Sequence, residues 1–308
     1  MDTPFTAHRA PRTTHQLDNL GVVIAKVENL RIIDETGLRR AEFVLFDDDN
    51  RDILRRFIKQ HNLRFSVHCP LFRPKDYPEH PLLACILDAD AERRSRSFSL
   101  IRTTMEEGAE MGAEYTVVHL QRPAHFSGDD LSAVTEQQLL ENLRIACNEL
   151  TALSNELGMP LRVENLFDYP LFHKSSSYQK MFEEFPSLGF CLDIGHLDVD
   201  ARRFGFNFMD FIVEMMPYTR AVHLQNSRGR SEDFETRHWK APVHPSQHPA
   251  DGWRDIPAIL HTILAANPDC IINFEAAPDY YPTREFMLEG IRWASDIFAR
   301  VHNELHRQ

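Results

Sequence analysis

Cysteine is scarce and scattered in this chain. Its five copies, Cys69, Cys85, Cys147, Cys191 and Cys270, are odd in number and form no CxxC pair, which argues against a disulfide framework and a thiolate zinc site alike. A reducing cytoplasm is the compartment expected from that usage. No window holds 18 consecutive apolar residues, so a membrane-spanning helix is excluded. The N-terminal stretch MDTPFTAHRAPRTTHQLDN lacks an apolar centre and does not read as a secretory leader. Residues 1–18 read instead as a polar arm, and 19–308 as one domain without a linker, internal repeat or low-complexity block. Basic charge is also short, with 34 Lys and Arg against 46 Asp and Glu for a formal charge of −12. That balance disfavours a grip on nucleic acid through overall charge, though it leaves room for a local basic patch.

What remains is an ordinary core-forming mixture, 43% hydrophobic and 26% charged. Eight short apolar runs recur along it: GVVIAKV at 21–27, AEFVLF at 41–46, RFSVHC at 64–69, EYTVVHL at 114–120, MPLRVEN at 159–165, LGFCLDI at 188–194, RAVHLQN at 220–226 and CIINFE at 270–275. Nearly continuous apolar runs of this length are expected of strands buried on both faces. Between them lie amphipathic stretches at 51–60, 92–111, 129–158, 176–185, 208–216, 255–265 and 285–304, with a weaker one at 28–39. In 129–158 the apolar residues recur at helical spacing, with Asp129 and Asp130 at the start and Gly158 just past the end. Eight strand–helix alternations predict an α/β chain closed into a (β/α)8 TIM barrel. An open doubly wound sheet is the runner-up, weakened because no glycine-rich phosphate loop follows any run.

A barrel of this kind gathers its active residues at the C-terminal ends of its strands. Polar residues fall there repeatedly: His68 in SVHCP, His119 in VVHLQRP, Glu164 in RVENL, Asp193 and His196 in LDIGH, His223 in AVHLQN and Glu275 in INFEA. Closing the barrel brings these side chains to one point, where uncompensated carboxylates would repel and raise one another's pKa. A divalent cation resolves the conflict. Mixed carboxylate and imidazole ligands suit Zn, Mn, Co or Fe(II) better than Ca or a thiolate-bound ion.

The order of these motifs, with LDIGH, RVEN and a terminal Glu as its most specific parts, resembles the xylose-isomerase-like TIM-barrel superfamily from about residue 20 onward. That group holds sugar-phosphate isomerases and epimerases together with endonuclease IV. The resemblance implies a divalent metal (Mn, Zn, Co or Mg) held by Glu164, Asp193, His223 and Glu275, with Glu164 and Glu275 doubling as acid and base. His196 would face substrate or hold another metal. His68 and His119 match positions that complete a second metal site with Glu164 in the endonuclease branch. The Asp-x-His pair of that branch has no counterpart here: Thr236, Pro242 and Ser246 stand two residues before His238, His244 and His248. These three histidines are kept as additional metal or substrate candidates.

The same loop is locally basic, with Arg228, Arg230, Arg237 and Lys240, and guanidinium forks suit a small anionic substrate. Arg228 and Arg230 are the substrate-orienting candidates, and Trp239 an apolar wall for a sugar ring. Arg93, Arg94, Arg96, Arg202 and Arg203 read as solvated helix faces. The expected activity is metal-dependent isomerisation or epimerisation of a small sugar, sugar phosphate or sugar acid through an enediolate. An endonuclease IV-like phosphodiesterase on abasic DNA is the alternative, as is a dehydratase or lyase on the same metal scaffold. The partner is then a small anionic or polyhydroxy molecule, with no membrane; a homo-oligomer is compatible with the sequence.

Overall fold

Each of the eight apolar runs forms a strand. The computed structural model describes residues 17–77, 80, 82, 86–88, 90–120, 135–169, 172–229, 240–275 and 283–305. Within it β1 (Leu20–Ile24), β2 (Arg40–Phe43), β3 (Arg64–His68), β4 (Thr116–His119), β5 (Leu161–Glu164), β6 (Gly189–Asp193), β7 (Thr219–Leu224) and β8 (Ile271–Phe274) pair in parallel in chain order. β8 returns to β1, matching Leu20 with Ile272 and Val22 with Phe274, and so closes the barrel. Closure leaves no sheet edge and buries both strand faces, which is why the runs lack polar alternation.

The helices are α1 (Ile32–Thr36), α2 (Arg51–His61), α3 (Ala91–Met111), α4 (Glu136–Leu157), α5 (Ser175–Glu184), α6 (Ile194–Phe204), α7 (Phe208–Met215), α8 (Ile256–Ala266) and α9 (Arg284–Leu305). Their ends follow capping chemistry. The Asp90 side chain accepts from the N–H groups of Glu92 and Arg93 to start α3, and Thr135 and Gln138 form a reciprocal capping box at α4. Gly158 and Gly205 stop α4 and α6 in the left-handed region, at φ 62° and 73°, where a Cβ would be strained.

One expectation shifts, one falls outside the described residues, and one helix is new. The weak helix at 28–39 is a 3-10 turn (Val27–Asn29) followed by the five-residue α1. The start placed at Asp129 and Asp130 lies outside the described residues, and the described helix opens at Thr135. α6 was not foreseen, because it follows β6 with no intervening loop: Asp193 ends the strand and caps the helix. Residues 1–16 of the N-terminal arm also lie outside the described residues.

Side chains alternate between the helical shell and the barrel interior. A small apolar group of Tyr115, Val117, Cys191 and Ala221, with Ile271 against it, fills the lower interior apart from the main core. Above it lies a buried polar layer. Ser66 Oγ and Asn273 Nδ2 donate to Glu42 Oε2 at 2.8 and 3.2 Å, and Asn273 Nδ2 also reaches the Tyr115 hydroxyl at 3.2 Å. The candidate site forms the next layer, at the C-terminal mouth.

Candidate metal centre

Four consecutive strands deliver Glu164, Asp193, His223 and Glu275, and one ligand atom of each lies within 4.8 Å of the others. Asn165, directly after Glu164, ties β5 to β6: its Oδ1 accepts from the Asp193 N–H at 2.8 Å and its Nδ2 donates to the Asp193 carbonyl at 3.0 Å. Asp193 Oδ1 accepts from the His196 N–H at 2.6 Å, and Gln225 Nε2 donates to Oδ2 at 2.6 Å. Glu275 follows β8, and its N–H extends the strand ladder to the Leu224 carbonyl at 3.1 Å.

His223 is oriented from below. Its Nε2 faces Glu42 Oε1 at 2.7 Å. A carboxylate accepts only, so Nε2–H is the donor and Nδ1 points up toward the carboxylates. There Nδ1 lies 3.4 Å from Glu164 Oε1, 2.9 Å from Glu275 Oε2 and 4.0 Å from Asp193 Oδ2. His223 Nδ1 and Glu275 Oε2 are both buried and face each other, with no well-aligned hydrogen bond to either among the described residues. A converging imidazole nitrogen and three carboxylates, with no well-aligned hydrogen bond between His223 Nδ1 and Glu275 Oε2, fit a divalent cation, with Glu42 in the supporting role that fixes a ligating imidazole.

Around Glu164 a second group assembles. His68 Nε2 and His119 Nε2 lie 2.9 and 3.0 Å from Glu164 Oε2. Their Nδ1 atoms face the carbonyls of Cys69 and Leu82 at 3.0 and 3.2 Å. His68, His119 and Glu164 thus also place ligand atoms within 4.8 Å of one another. His196 turns Nδ1 toward the Asn165 carbonyl at 3.0 Å and Glu164 Oε1 at 3.2 Å.

Electrostatics sharpen the picture. Burial alone would raise Glu164, but the imidazoles of His223 and His119 hold it well below the usual carboxylate range. Burial likewise opposes ionisation of Glu275, yet the Lys240 ammonium and then His223 hold it well below that range too. Asp193, dominated by burial, is pushed up to about 6. His223 is the mirror case: burial would lower it, but the negative groups around it carry it well above the usual imidazole value.

Motif reading missed Glu42 altogether, and placed Lys240 only among the basic residues of the loop after β7. Lys240 pairs with Glu275 Oε1. It is placed by an antiparallel bridge in which Asn226 N donates to the Ala241 carbonyl at 2.8 Å and Ala241 N to the Asn226 carbonyl at 3.1 Å. The signal for Glu42 was a single acid inside the apolar run AEFVLF, at the parity that points into the barrel.

Other candidates lie elsewhere. His244 is buried, but it stacks on Phe286 at 3.7 Å and faces Ser246 Oγ at 2.7 Å. His248 is exposed ahead of the turn Pro249–Asp251. Neither belongs to a ligand group among the described residues. Arg228 is exposed with its guanidinium 5.4 Å from the Trp253 ring centre. Arg230, His238 and Trp239 lie outside the described residues. Arg202 and Arg203 are not simply solvated: Arg202 Nε binds Asp198 Oδ1 at 2.9 Å, and Arg203 pairs with Asp168. The same Asp198 accepts from Ser227 Oγ and the Gly229 N–H and pairs with Arg254, pinning the segment after β7 onto α6.

Comparison with known proteins identifies the fold. An uncharacterized protein of Methanocaldococcus jannaschii is 23% identical over 139 residues, 45% of this chain and 48% of that protein, so the chain matches about half the relative's length. Among solved structures, a D-tagatose 3-epimerase-like protein superposes with a TM-score of 0.67 at 15% identity, covering 94% of this chain and 98% of that one. The 3-keto-D-glucoside 4-epimerase YcjR from E. coli superposes with a TM-score of 0.67 at 16% identity, covering 90% and 99%. These two share the fold. Residues 30–297 match the family described as xylose isomerase-like TIM barrel, and the chain belongs to that family.

Proposed function

We propose that the chain is a divalent-metal-dependent isomerase or epimerase of a small sugar, sugar phosphate or sugar acid, built on a single barrel domain over 19–308. The observation that carries this reading is the convergence of Glu164, Asp193, His223 and Glu275, one ligand atom of each within 4.8 Å of the others. The fold-sharing protein named as a 3-keto-D-glucoside 4-epimerase adds support from its name.

When bound, a divalent cation supplies positive charge that stabilises negative charge developing on a substrate carbonyl and its neighbouring hydroxyl. The chain's own residues do the rest. Lys240 holds Glu275 ionised, ready to take a proton from the carbon beside the carbonyl and leave an enediolate. In an isomerisation Glu275 returns the proton it took to the neighbouring carbon; in an epimerisation Glu164, 3.4 Å from His223 Nδ1, delivers the proton after drawing one from the His68 imidazole 2.9 Å away. His196, fixed against the Asn165 carbonyl, orients a substrate oxygen.

The test is wash-in of solvent deuterium at the substrate's carbon, screened over a sugar and sugar-phosphate panel. Glu164→Gln and Glu275→Gln are each expected to lower exchange by at least a thousandfold. Full exchange in both variants would falsify the assignment.

A second reading, an endonuclease IV-like phosphodiesterase, draws on the His68, His119 and Glu164 group, which offers a second ion a place. Ions counted per purified chain, followed by cleavage of an abasic duplex, separate the two. A single ion with no cleavage supports the sugar reading, and cleavage overturns it. Loss of a β-hydroxyl from the same enediolate would mark a dehydratase or lyase, and the panel's product analysis detects it.

A further inference from the structure

A cavity of about 220 Å3 opens beside the candidate metal centre, and Glu275 and Lys240 line one side of it. Among the described residues the remaining walls come mainly from β1, from the ends of β2, β7 and β8, from the segment after β7 that holds Pro242 and Val243, and from α1 and α9. Val44 and Leu45 follow β2, Phe274 ends β8, Ile32 belongs to α1, and Met287 and Ile291 lie on α9. Among the described residues, side-chain polarity is otherwise confined to Lys26 and Asn29, near the rim where Ala25 is exposed. Three wall N–H groups are also committed: those of Val44 and Leu45 donate to the carbonyls of Ile24 and Pro70, and that of Glu275 to Leu224.

A hydroxylated chain placed here would lose its bonds to water and find few replacements. An alkyl or aryl group would lose nothing and gain by burial. A void of about 150 Å3 accepts benzene, so this one admits a ring or chain of roughly six carbons.

We infer that this cavity is a specificity subsite, and that the substrate carries an apolar alkyl or aryl substituent beside its metal-facing oxygens rather than a fully hydroxylated tail. The inference rests on the metal-site reading proposed above, because Glu275 joins the two volumes. It narrows the substrate class to sugar derivatives with one greasy end: deoxy, alkyl or aryl-substituted.

Two probe sets test the inference. In the first, n-hexanol is titrated into metal-free protein and followed by ligand-observed NMR. In the second, Mn(II)-loaded protein is titrated calorimetrically with aceto-, butano- and hexanohydroxamate, and with trihydroxybutanohydroxamate as the hydroxylated counterpart. Dissociation constants should fall about fourfold per added methylene until the cavity is full. Butanohydroxamate should bind at least tenfold tighter than its trihydroxy analogue.

Ala25→Trp, at the exposed rim, should abolish hexanol binding and the chain-length gain while leaving acetohydroxamate binding in place. Met287→Ala, which widens the cavity, should carry the gain to longer chains. No hexanol binding with no chain-length gain, or tighter binding of the hydroxylated probe, overturns the subsite. Hexanol binding without binding of any hydroxamate supports the cavity and overturns the metal reading instead.

Discussion

Glu42 never touches the candidate ligand cluster from above, yet it decides which nitrogen of His223 does. Its Oε1 takes the Nε2–H at 2.7 Å, while Ser66 and Asn273 hold the other oxygen. Glu42→Gln preserves shape but removes the charge that makes the imidazole a strong donor. Cation affinity should fall roughly 10- to 100-fold, the usual effect of losing such a support. A chromophoric chelator competition measures this, with the melting temperature of metal-free protein as the control for structure. Unchanged affinity would show that Glu42 only fills space.

Asp200, on α6, carries a second residue-scale prediction. Burial pushes its carboxyl up to about 8, and its Oδ1 accepts from the Asp168 N–H at 2.7 Å. The folded pKa therefore lies above the unfolded value of about 4. Between those values the unfolded chain releases a proton that the folded chain retains, so this group costs stability progressively from pH 4 to pH 8. Asp200→Asn keeps the acceptor oxygen and removes the titration. The variant should match the parent near pH 4 and exceed it by on the order of a few kcal/mol above pH 8. Denaturant titrations at both pH values check it, and a constant difference across the range would contradict the burial argument.

At the scale of elements, α9 lies close against the segment after β7. A Cβ on Gly290 would overlap the Val243 carbonyl oxygen, which belongs to backbone and has no rotamer to escape into. In an open helix Gly→Ala stabilises by about 1 kcal/mol. Here Gly290→Ala should instead destabilise by roughly 1–3 kcal/mol through overpacking. Because Val243, Met287 and Ile291 also line the apolar cavity, n-hexanol binding should weaken with it. Thermal unfolding decides the sign, and a raised melting temperature would show that the two segments can separate cheaply.

The elements also show which features of the chain are legible in sequence. Every strand was readable, because burial on both faces leaves an apolar run whatever its neighbours. The strand-end acids and histidines were readable for the related reason that a polar residue closing such a run needs a use. α6 escaped because Asp193 serves as strand end and helix cap at once, with no turn residues between. Glu42 escaped because its partner is 181 residues away and meets it only across the closed barrel. Lys240 and His244 sit in one basic loop and look alike in composition. The Asn226–Ala241 bridge sends Lys240 to Glu275, while Phe286 holds His244 against α9.

For the whole molecule, the −12 charge matters less than where part of it is buried. Glu42, Glu164 and Asp193 lie fully inside the barrel mouth with Glu275 beside them, and their nearby positive partners are Lys240 and the imidazoles. Folding without a cation compresses these acids together, and unfolding releases them, so a cation should bind the folded chain and not the unfolded one. At a free concentration a hundred times its Kd, such a ligand adds about 2.7 kcal/mol. Spread over the unfolding entropy of a chain this long, that raises the melting temperature by about 4 °C. Mn(II) or Zn(II) should produce the shift and EDTA should reverse it. Ca(II) should do less, because one of the four ligands is an imidazole. The double variant Asp193→Asn, Glu275→Gln leaves the buried Lys240 without its carboxylate partner, so it should melt lower than the parent in EDTA, and it should lose the response to Mn(II). An equal shift in parent and double variant would place the ion on the acidic surface instead of the barrel axis.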